Sequence, residues 1–111
     1  MNTIAMNNQD LYKIIIDRIK NKPEGSYVSE LVNNGLYRIA QKVGEESIEL
    51  VIEASKVPSQ MKNKRIIEEA ADLFFHYWVL LAFLGITPNE IFRELETRHK
   101  KKHPSPAFHD K

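Results

Sequence analysis

Apolar residues recur along the chain at spacings of three and four, and no useful length alternates with the two-residue period of a strand. A spacing of three and four places side chains on one face of an α-helix, so the pattern predicts an all-α fold. We expect four main helices and one short helix that together form a helical bundle. The main helices are predicted at about 9–21, 36–56, 62–84 and 88–98, and the short one at about 26–31. Ile14 belongs to the apolar stripe of the first main helix, and Phe92 is predicted to face inward from the fourth.

Residues that break or cap helices separate these segments. Gly85 is suited to a left-handed exit from the third main helix, and residues 87–90 have the form of a capping box that begins the fourth. We expect a single domain over 1–111, with an ordered core at about 9–98 and a loosely ordered tail from His99. The other breaks fall at 22–25, 33–35 and 57–59.

The third main helix is apolar or aromatic on almost every side between residues 73 and 84, where His76 interrupts the run. A helix of this kind must be covered on every side, and the other helices of a small chain can cover two of its faces. We therefore predict a homodimer or a larger assembly that buries the remaining face. The large aromatic residues of this helix are assigned to the core or the interface rather than to base stacking: Phe74, Phe75, Trp78 and Phe83.

The composition narrows the kind of site that the chain can hold. It has 111 residues, no cysteine and a formal net charge of +1. The lack of cysteine excludes disulfides, zinc–thiolate sites, iron–sulfur clusters and thiol catalysis, and the small net charge gives no reason to expect nucleic acid or membrane partners. The N-terminal segment is polar, unlike a signal peptide, and the apolar run at 73–86 is too short to span a bilayer. We expect a soluble, cytoplasmic protein.

Acidic residues lie beside the apolar face of the second main helix. At 100° per residue, Glu46, Glu49 and Glu53 stack in one narrow stripe at the rim of the predicted core. Lys42 begins the same stripe. Gly44 lies in this helix at a cost of about 1 kcal/mol relative to alanine, so either another backbone approaches it closely or the helix simply tolerates it.

The third main helix repeats the arrangement. Glu69 and Asp72 are three residues apart and border the apolar face, with Arg65 and His76 on the same stripe. Like charges one turn apart destabilise a helix by roughly 0.2–0.5 kcal/mol per pair, and a bound divalent cation removes that cost. Oxygen ligands without cysteine or a histidine pair suit Mg²⁺ or Mn²⁺ better than zinc, and carboxylate-held Mg²⁺ often serves phosphate chemistry.

Other interpretations of these acids remain open. They also fit a solvated face with scattered lysine partners, and the residues alone do not separate this from a metal site. A di-iron carboxylate bundle is disfavoured, because it requires Glu-x-x-His on two helices and the chain does not have it on two. His76, one turn after Asp72, is either a donor that orients that carboxylate or a core histidine satisfied by a nearby acceptor.

The acidic motifs lead to a family resemblance. Glu-x-x-Glu at 46–49 followed by Glu-x-x-Asp at 69–72 resembles the metal signature of the all-α, MazG-like nucleoside triphosphate pyrophosphohydrolases. More narrowly, residues 10–100 resemble the phosphoribosyl-ATP pyrophosphatase family. The motifs that carry the narrower resemblance are Ser26-Tyr27, Lys42-Val43-Gly44-Glu45-Glu46, Glu68-Glu69-Ala70-Ala71-Asp72-Leu73, His76, and Glu94-Leu95 with Arg98.

The resemblance implies a dimeric enzyme and a reaction. Members of that family cleave 1-(5-phospho-β-D-ribosyl)-ATP between its α and β phosphates and release pyrophosphate, in the second step of histidine biosynthesis. Two departures are mild: Val28 stands where the family usually has threonine, which removes a hydroxyl near the substrate, and Ser47 stands where alanine is usual. By resemblance, the residues that hold Mg²⁺ are Glu46, Glu49, Glu69 and Asp72.

The resemblance also suggests roles for residues around the metal. Glu45 would orient or deprotonate the attacking water, and Lys42 would either reach a phosphate or form a salt bridge within its helix. Ser26 and Tyr27 would offer hydroxyls and backbone N–H groups to an anion, or act as an ordinary cap. Arg98 would bind the far phosphate of the substrate.

Two rival functions follow from the same residues. One is a house-cleaning pyrophosphatase of the same superfamily, which acts on non-canonical or deoxynucleoside triphosphates. The other is a non-enzymatic helical interaction module with incidental acids. Substrate profiling separates the house-cleaning pyrophosphatase from an enzyme that acts on phosphoribosyl-ATP. A failure to bind any divalent metal would favour the interaction module.

Overall fold

The computed structural model of the chain describes residues 5–56 and 62–101, and no β-strand occurs in either range. The all-α prediction is therefore confirmed, and every predicted helix is present. The predicted break at 57–59 lies outside the described residues. The helices are α1 Asn8–Asn21, α2 Tyr27–Asn33, α3 Leu36–Ala54, α4 Lys62–Phe83 and α5 Pro88–Lys100.

The predicted turn between α4 and α5 is formed by the residues that the sequence indicated. Gly85 has a φ of +78°, the left-handed conformation that glycine adopts without steric cost. Thr87 accepts a hydrogen bond from the backbone N–H of Glu90, whose carboxylate accepts one from the backbone N–H of Thr87. This reciprocal capping box satisfies two of the free N–H groups at the start of α5.

Three predicted helix ends were wrong by two residues. α2 continues to Asn33, α3 ends at Ala54, and α5 continues through Lys100. His99 and Lys100, which were assigned to a loosely ordered tail, are therefore helical. The last three residues of α5 are basic, and cations there stabilise the carbonyl end of the helix dipole, which extends the helix. Residues 102–111 lie outside the described part of the chain.

The core forms where α1, α2, α3 and α4 meet, while α5 packs against α1. Two predicted inward positions were wrong: Ile14 is 37% exposed and Phe92 is 47% exposed. Ile16 packs against the core in place of Ile14, because the neighbours of α1 lie on a face that the helical period alone does not identify. The buried apolar residues are Ile15, Val28, Leu31, Ile39, Trp78, Val79 and Ala82.

α4 is the most apolar helix of the chain, and the core covers only part of its surface. Trp78, Val79 and Ala82 are buried, whereas Phe74 remains 46% exposed. No single helix of the described ranges is long and apolar enough to cross a membrane. α4 from Lys64 and α5 meet that requirement only as a pair, which is bent by 104°.

A matched pair of substitutions on α1 tests this assignment of the core. We expect Ile15→Ala, at a fully buried position, to lower the free energy of unfolding by about 2–4 kcal/mol, because it removes packed methylene groups and leaves a cavity. Ile14→Ala, on the adjacent exposed position, should cost about 1 kcal/mol or less. Urea unfolding of the two variants measures the difference, and equal losses would place the core elsewhere.

Candidate active site

The site lies between α3 and α4, which run antiparallel. Glu53 near the end of α3 contacts Arg65 near the start of α4, and Glu46 earlier in α3 contacts His76 later in α4. Each helix presents its acidic stripe at the edge of its packed face, so antiparallel packing brings the two stripes together. The predicted position of the acids at the rim of the core is therefore confirmed.

Three of the four predicted metal-binding carboxylates converge. Glu46, Glu49 and Glu69 each place one oxygen so that all three oxygens lie within 4.8 Å of one another. Glu46 is buried, Glu69 is half-buried and Glu49 is exposed, so the cluster opens to solvent on one side. Asp72 lies close enough for its charge to act on Glu69, but its carboxylate is outside the three-oxygen group.

The electrostatics of the cluster are unfavourable in the absence of a cation. Burial raises the pKa of Glu69, and the charges of Glu49, Asp72 and Glu46 raise it further, whereas Arg65 lowers it. The Oε2 atom of Glu69 is buried and accepts a hydrogen bond from no described residue. A buried carboxylate oxygen without a donor is costly in a folded protein, so the arrangement favours a ligand that supplies positive charge.

Glu53 is in the same sequence stripe but has a different role. It is buried, its Oε2 atom lies 2.8 Å from Nζ of Lys56, and its Oε1 atom lies 3.4 Å from Nε of Arg65. The hydrogen bond from Lys56 lowers the pKa of Glu53, with burial acting against it and the charge of Arg65 adding to the decrease. Glu53 is thus already neutralised by two cations, which distinguishes it from Glu49 and Glu69, for which the described residues show no such ion pair.

Lys42 lies at the opposite end of the acidic stripe. Its Nζ atom is 3.8 Å from the carboxylate of Glu45 and 3.6 Å from that of Glu46. Of the two roles that the sequence left open, the structure shows the ion pair within α3. Glu45 is exposed and lies about 100° from Glu46 around the helix, and its carboxylate is not among the three converging oxygens.

His76 is buried between the three helices that carry the predicted site. Its Nδ1 atom is 2.8 Å from the backbone carbonyl oxygen of Asp72 and 3.6 Å from Oε1 of Glu46. Its Nε2 atom is 2.8 Å from the hydroxyl of Tyr27. Of the two roles that the sequence left open for His76, the structure shows the buried histidine satisfied by a nearby acceptor, because its Nδ1 atom bonds the backbone carbonyl of Asp72 and not the carboxylate.

Of the other predicted substrate-binding residues, Tyr27 lies beside the acidic cluster, whereas Ser26 and Arg98 form hydrogen bonds elsewhere. Tyr27 is 48% exposed and, through His76, lies beside the acidic cluster. Ser26 is the cap of α2, because its hydroxyl oxygen accepts a hydrogen bond from the backbone N–H of Ser29. Arg98 donates to Glu94 on its own helix, and within the described residues no contact joins it to the acidic cluster.

Sequence reasoning missed two features of the site. The first is the neutralisation of Glu53 by Arg65, and the second is the hydrogen bond between Tyr27 and His76. Both join residues on different helices, and helical periodicity describes one helix at a time. One sequence signal could have indicated the ion pair of Arg65 with Glu53. Arg65 lies one turn before Glu69, and antiparallel packing of the two helices places Glu53 opposite Arg65.

Comparison of the sequence with known proteins identifies the family of the chain. The sequence model of the family described as phosphoribosyl-ATP pyrophosphohydrolase matches residues 8–99. A protein of Saccharolobus solfataricus named phosphoribosyl-ATP pyrophosphatase is 52% identical over 92 residues, which cover 82% of this chain and 93% of the relative. A protein of the same name from Sulfolobus acidocaldarius is 50% identical over 91 residues, which cover 82% of this chain and 92% of the relative. The chain therefore belongs to the phosphoribosyl-ATP pyrophosphohydrolase family.

Proposed function

We propose that the chain hydrolyses the α–β phosphoanhydride of 1-(5-phospho-β-D-ribosyl)-ATP, giving 1-(5-phospho-β-D-ribosyl)-AMP and pyrophosphate, in the second step of histidine biosynthesis. The observation that carries the proposal is the convergence of three carboxylates from two helices, one of which has a buried oxygen without a donor. The names of the relatives support the choice of substrate.

Mg²⁺ fits the residues that the site offers, and Mn²⁺ would fit them too. Glu46, Glu49 and Glu69 supply hard oxygen ligands from two rigid helices, and Asp72 is available beside them. When bound, Mg²⁺ would neutralise the triphosphate and polarise the phosphoryl oxygens. The unpartnered Oε2 atom of Glu69 would then gain the positive partner that the protein itself does not provide.

The side chains around the cluster would position the substrate. Lys42 is partly buried, and its Nζ atom lies 3.6 Å from Oε1 of Glu46. When another cation neutralises Glu46, the ammonium group of Lys42 can turn to a phosphate oxygen. Glu45, exposed on the solvent side of Lys42, is the candidate to orient the attacking water. Tyr27 is 48% exposed at the same end of the site, and its hydroxyl lies 2.8 Å from Nε2 of His76.

We also propose that the functional unit is a homodimer. α3 and α4 leave an apolar surface uncovered, with Ile48 63% exposed and Val51 64% exposed on α3. Within the described residues, a Cβ atom added to Gly44 would meet nothing within 4 Å, so the surface of α3 at this glycine has room for the close approach of a partner. An adjoining open groove of about 440 Å³ is lined by Val43, Ser47, Leu50, Ala70, Leu73, Phe74 and Tyr77.

The first of three predictions from the proposed function concerns the product of the reaction. With Mg²⁺ present, the purified chain should convert phosphoribosyl-ATP to phosphoribosyl-AMP and pyrophosphate in equal amounts, and chelation of the metal should stop the reaction. Anion-exchange chromatography of the nucleotides with a coupled pyrophosphate assay measures both products. Release of orthophosphate alone, or a clear preference for deoxynucleoside triphosphates, would assign the chain to the house-cleaning class instead.

The second prediction concerns the pH dependence of stability. In the chain without metal, burial and neighbouring carboxylates raise the pKa of Glu69, so the folded state binds a proton more tightly than the unfolded state. The free energy of unfolding should therefore fall as the pH rises from the ordinary glutamate pKa of about 4.3 through the raised value. Glu69→Gln cannot ionise, so its stability relative to the wild type should increase across that window and then level off.

Urea unfolding across this pH range, with and without Mg²⁺, measures the effect. Saturating Mg²⁺ should remove the advantage of Glu69→Gln, because only the wild type gains the free energy of binding. Glu96→Gln, an exposed position on α5, is the control and should follow the wild type. Curves for Glu69→Gln and the wild type that stay parallel at all pH values would contradict the proposed crowding of the carboxylates.

The third prediction concerns the dimer. Sedimentation equilibrium at micromolar protein should give twice the mass of the chain, and Val51→Glu should give a folded monomer, because it places a charge on the apolar surface of α3. Phe92→Glu, on an exposed position of α5, should remain dimeric. A fully active wild-type monomer at that concentration would rule the dimer out as the functional unit.

A further inference from the structure

His76 makes two short hydrogen bonds from one buried ring. The backbone carbonyl of Asp72 can only accept, so the 2.8 Å contact requires the hydrogen to be on Nδ1 of His76. Nε2 lies on the other side of the ring, 2.8 Å from the hydroxyl of Tyr27. Because Nδ1 is fixed by the backbone of α4, the orientation of the ring is fixed, and Nε2 always faces the same point at the N-terminus of α2.

Tyr27 needs such a partner in order to have a defined position. It is the first residue of α2, a helix of 7 residues, and its side chain is 48% exposed. An exposed aromatic side chain that must be ordered when a ligand binds loses rotamer entropy at that step. Its ring also packs edge-on against His76, with centroids 5.6 Å apart, and is tilted against Phe75 at 6.4 Å.

The same ring lies next to the acidic cluster, with Nδ1 3.6 Å from Oε1 of Glu46. His76 therefore joins the short helix α2 to the two helices that carry the carboxylates. The mechanism above assigns it no contact with substrate or metal. A buried histidine with two short bonds in opposite directions has the geometry of a spacer between the acidic cluster and Tyr27.

We propose that His76 is a positioning residue, which holds the Tyr27 side chain in one orientation at the Lys42 end of the acidic cluster so that Tyr27 meets the substrate already ordered. The inference rests on the proposed function, because it takes Tyr27 as a residue that contacts the substrate. His76 then acts through Tyr27, and its contribution to activity exists only while the tyrosine hydroxyl is present.

Amide substitutions at His76 separate its two hydrogen bonds. His76→Asn places an amide near the position of Nδ1, where it can still donate to the carbonyl of Asp72 but cannot reach Tyr27. His76→Gln places its amide near the position of Nε2, where its oxygen can accept from the Tyr27 hydroxyl. Both variants lose the ring contacts with Tyr27 and Phe75, so a difference in activity between them does not arise from the loss of the ring.

The test is a double-mutant cycle on kcat/KM with Tyr27→Phe. We expect Tyr27→Phe and His76→Asn each to lower kcat/KM by about tenfold, chiefly through KM, because substrate binding loses one ordered hydrogen-bonding group. The double variant should also lose about tenfold, whereas independent roles would give about a hundredfold loss. His76→Gln should recover most of the wild-type activity.

A control variant and a substrate panel complete the design. Tyr37→Phe, at a site 89% exposed, should leave kcat/KM unchanged. The cycle is run on whichever phosphoanhydride substrate the wild type turns over. If the two substitutions are non-additive on a deoxynucleoside triphosphate, the inference holds and the proposed substrate is rejected. Additive losses, or equal losses in His76→Asn and His76→Gln, would overturn the inference on any substrate.

Discussion

The repulsion between carboxylates held by two packed helices is the interaction on which the rest of the site depends. α3 and α4 associate through their apolar faces, and that packing alone brings Glu46, Glu49 and Glu69 within 4.8 Å of one another. The hydrophobic free energy of the bundle offsets the cost of this arrangement. The folded chain therefore has a preformed cluster of negative charge before any ligand binds. A preformed site of this kind favours tight binding of a divalent cation.

The distribution of cations around the cluster supports this account. At one end of the stripe, Lys56 and Arg65 neutralise Glu53, and at the other end Lys42 contacts Glu46. Between these two ends, the described residues provide no cation that forms an ion pair with an acid. The pKa of Glu69, which lies in this middle region, is raised, whereas the pKa of Glu53, at the paired end, is lowered. Two acids on neighbouring helices thus differ in protonation behaviour because only one of them has a basic partner at short distance.

The helices and their acidic stripes could be predicted from the sequence, because both depend on the spacing of residues within one helix. The spacing of apolar residues identified the helices, the capping box marked the start of α5, and the Glu-x-x-Glu and Glu-x-x-Asp spacings placed the carboxylates on the rim of the core. The remaining features depend on which helices are neighbours. Ile14 and Phe92 were assigned to the buried sides of their helices but are exposed. The bonds of Tyr27 to His76 and of Arg65 to Glu53 were not foreseen. The reason is the same in both cases, since the helical period does not give the rotation of one helix against another.

Direct titration of the chain with Mn²⁺ tests the central claim, that the three carboxylates bind a divalent cation. Isothermal titration calorimetry at neutral pH should show saturable binding to the wild type and binding at least about tenfold weaker to Glu49→Gln, which keeps the shape of the side chain and removes one charge. Without metal, Glu49→Gln should be as stable as the wild type or more stable, since like-charge repulsion falls. The exposed control Glu96→Gln should bind as the wild type does. No saturable binding to the wild type, or equal binding to Glu49→Gln, would contradict the account.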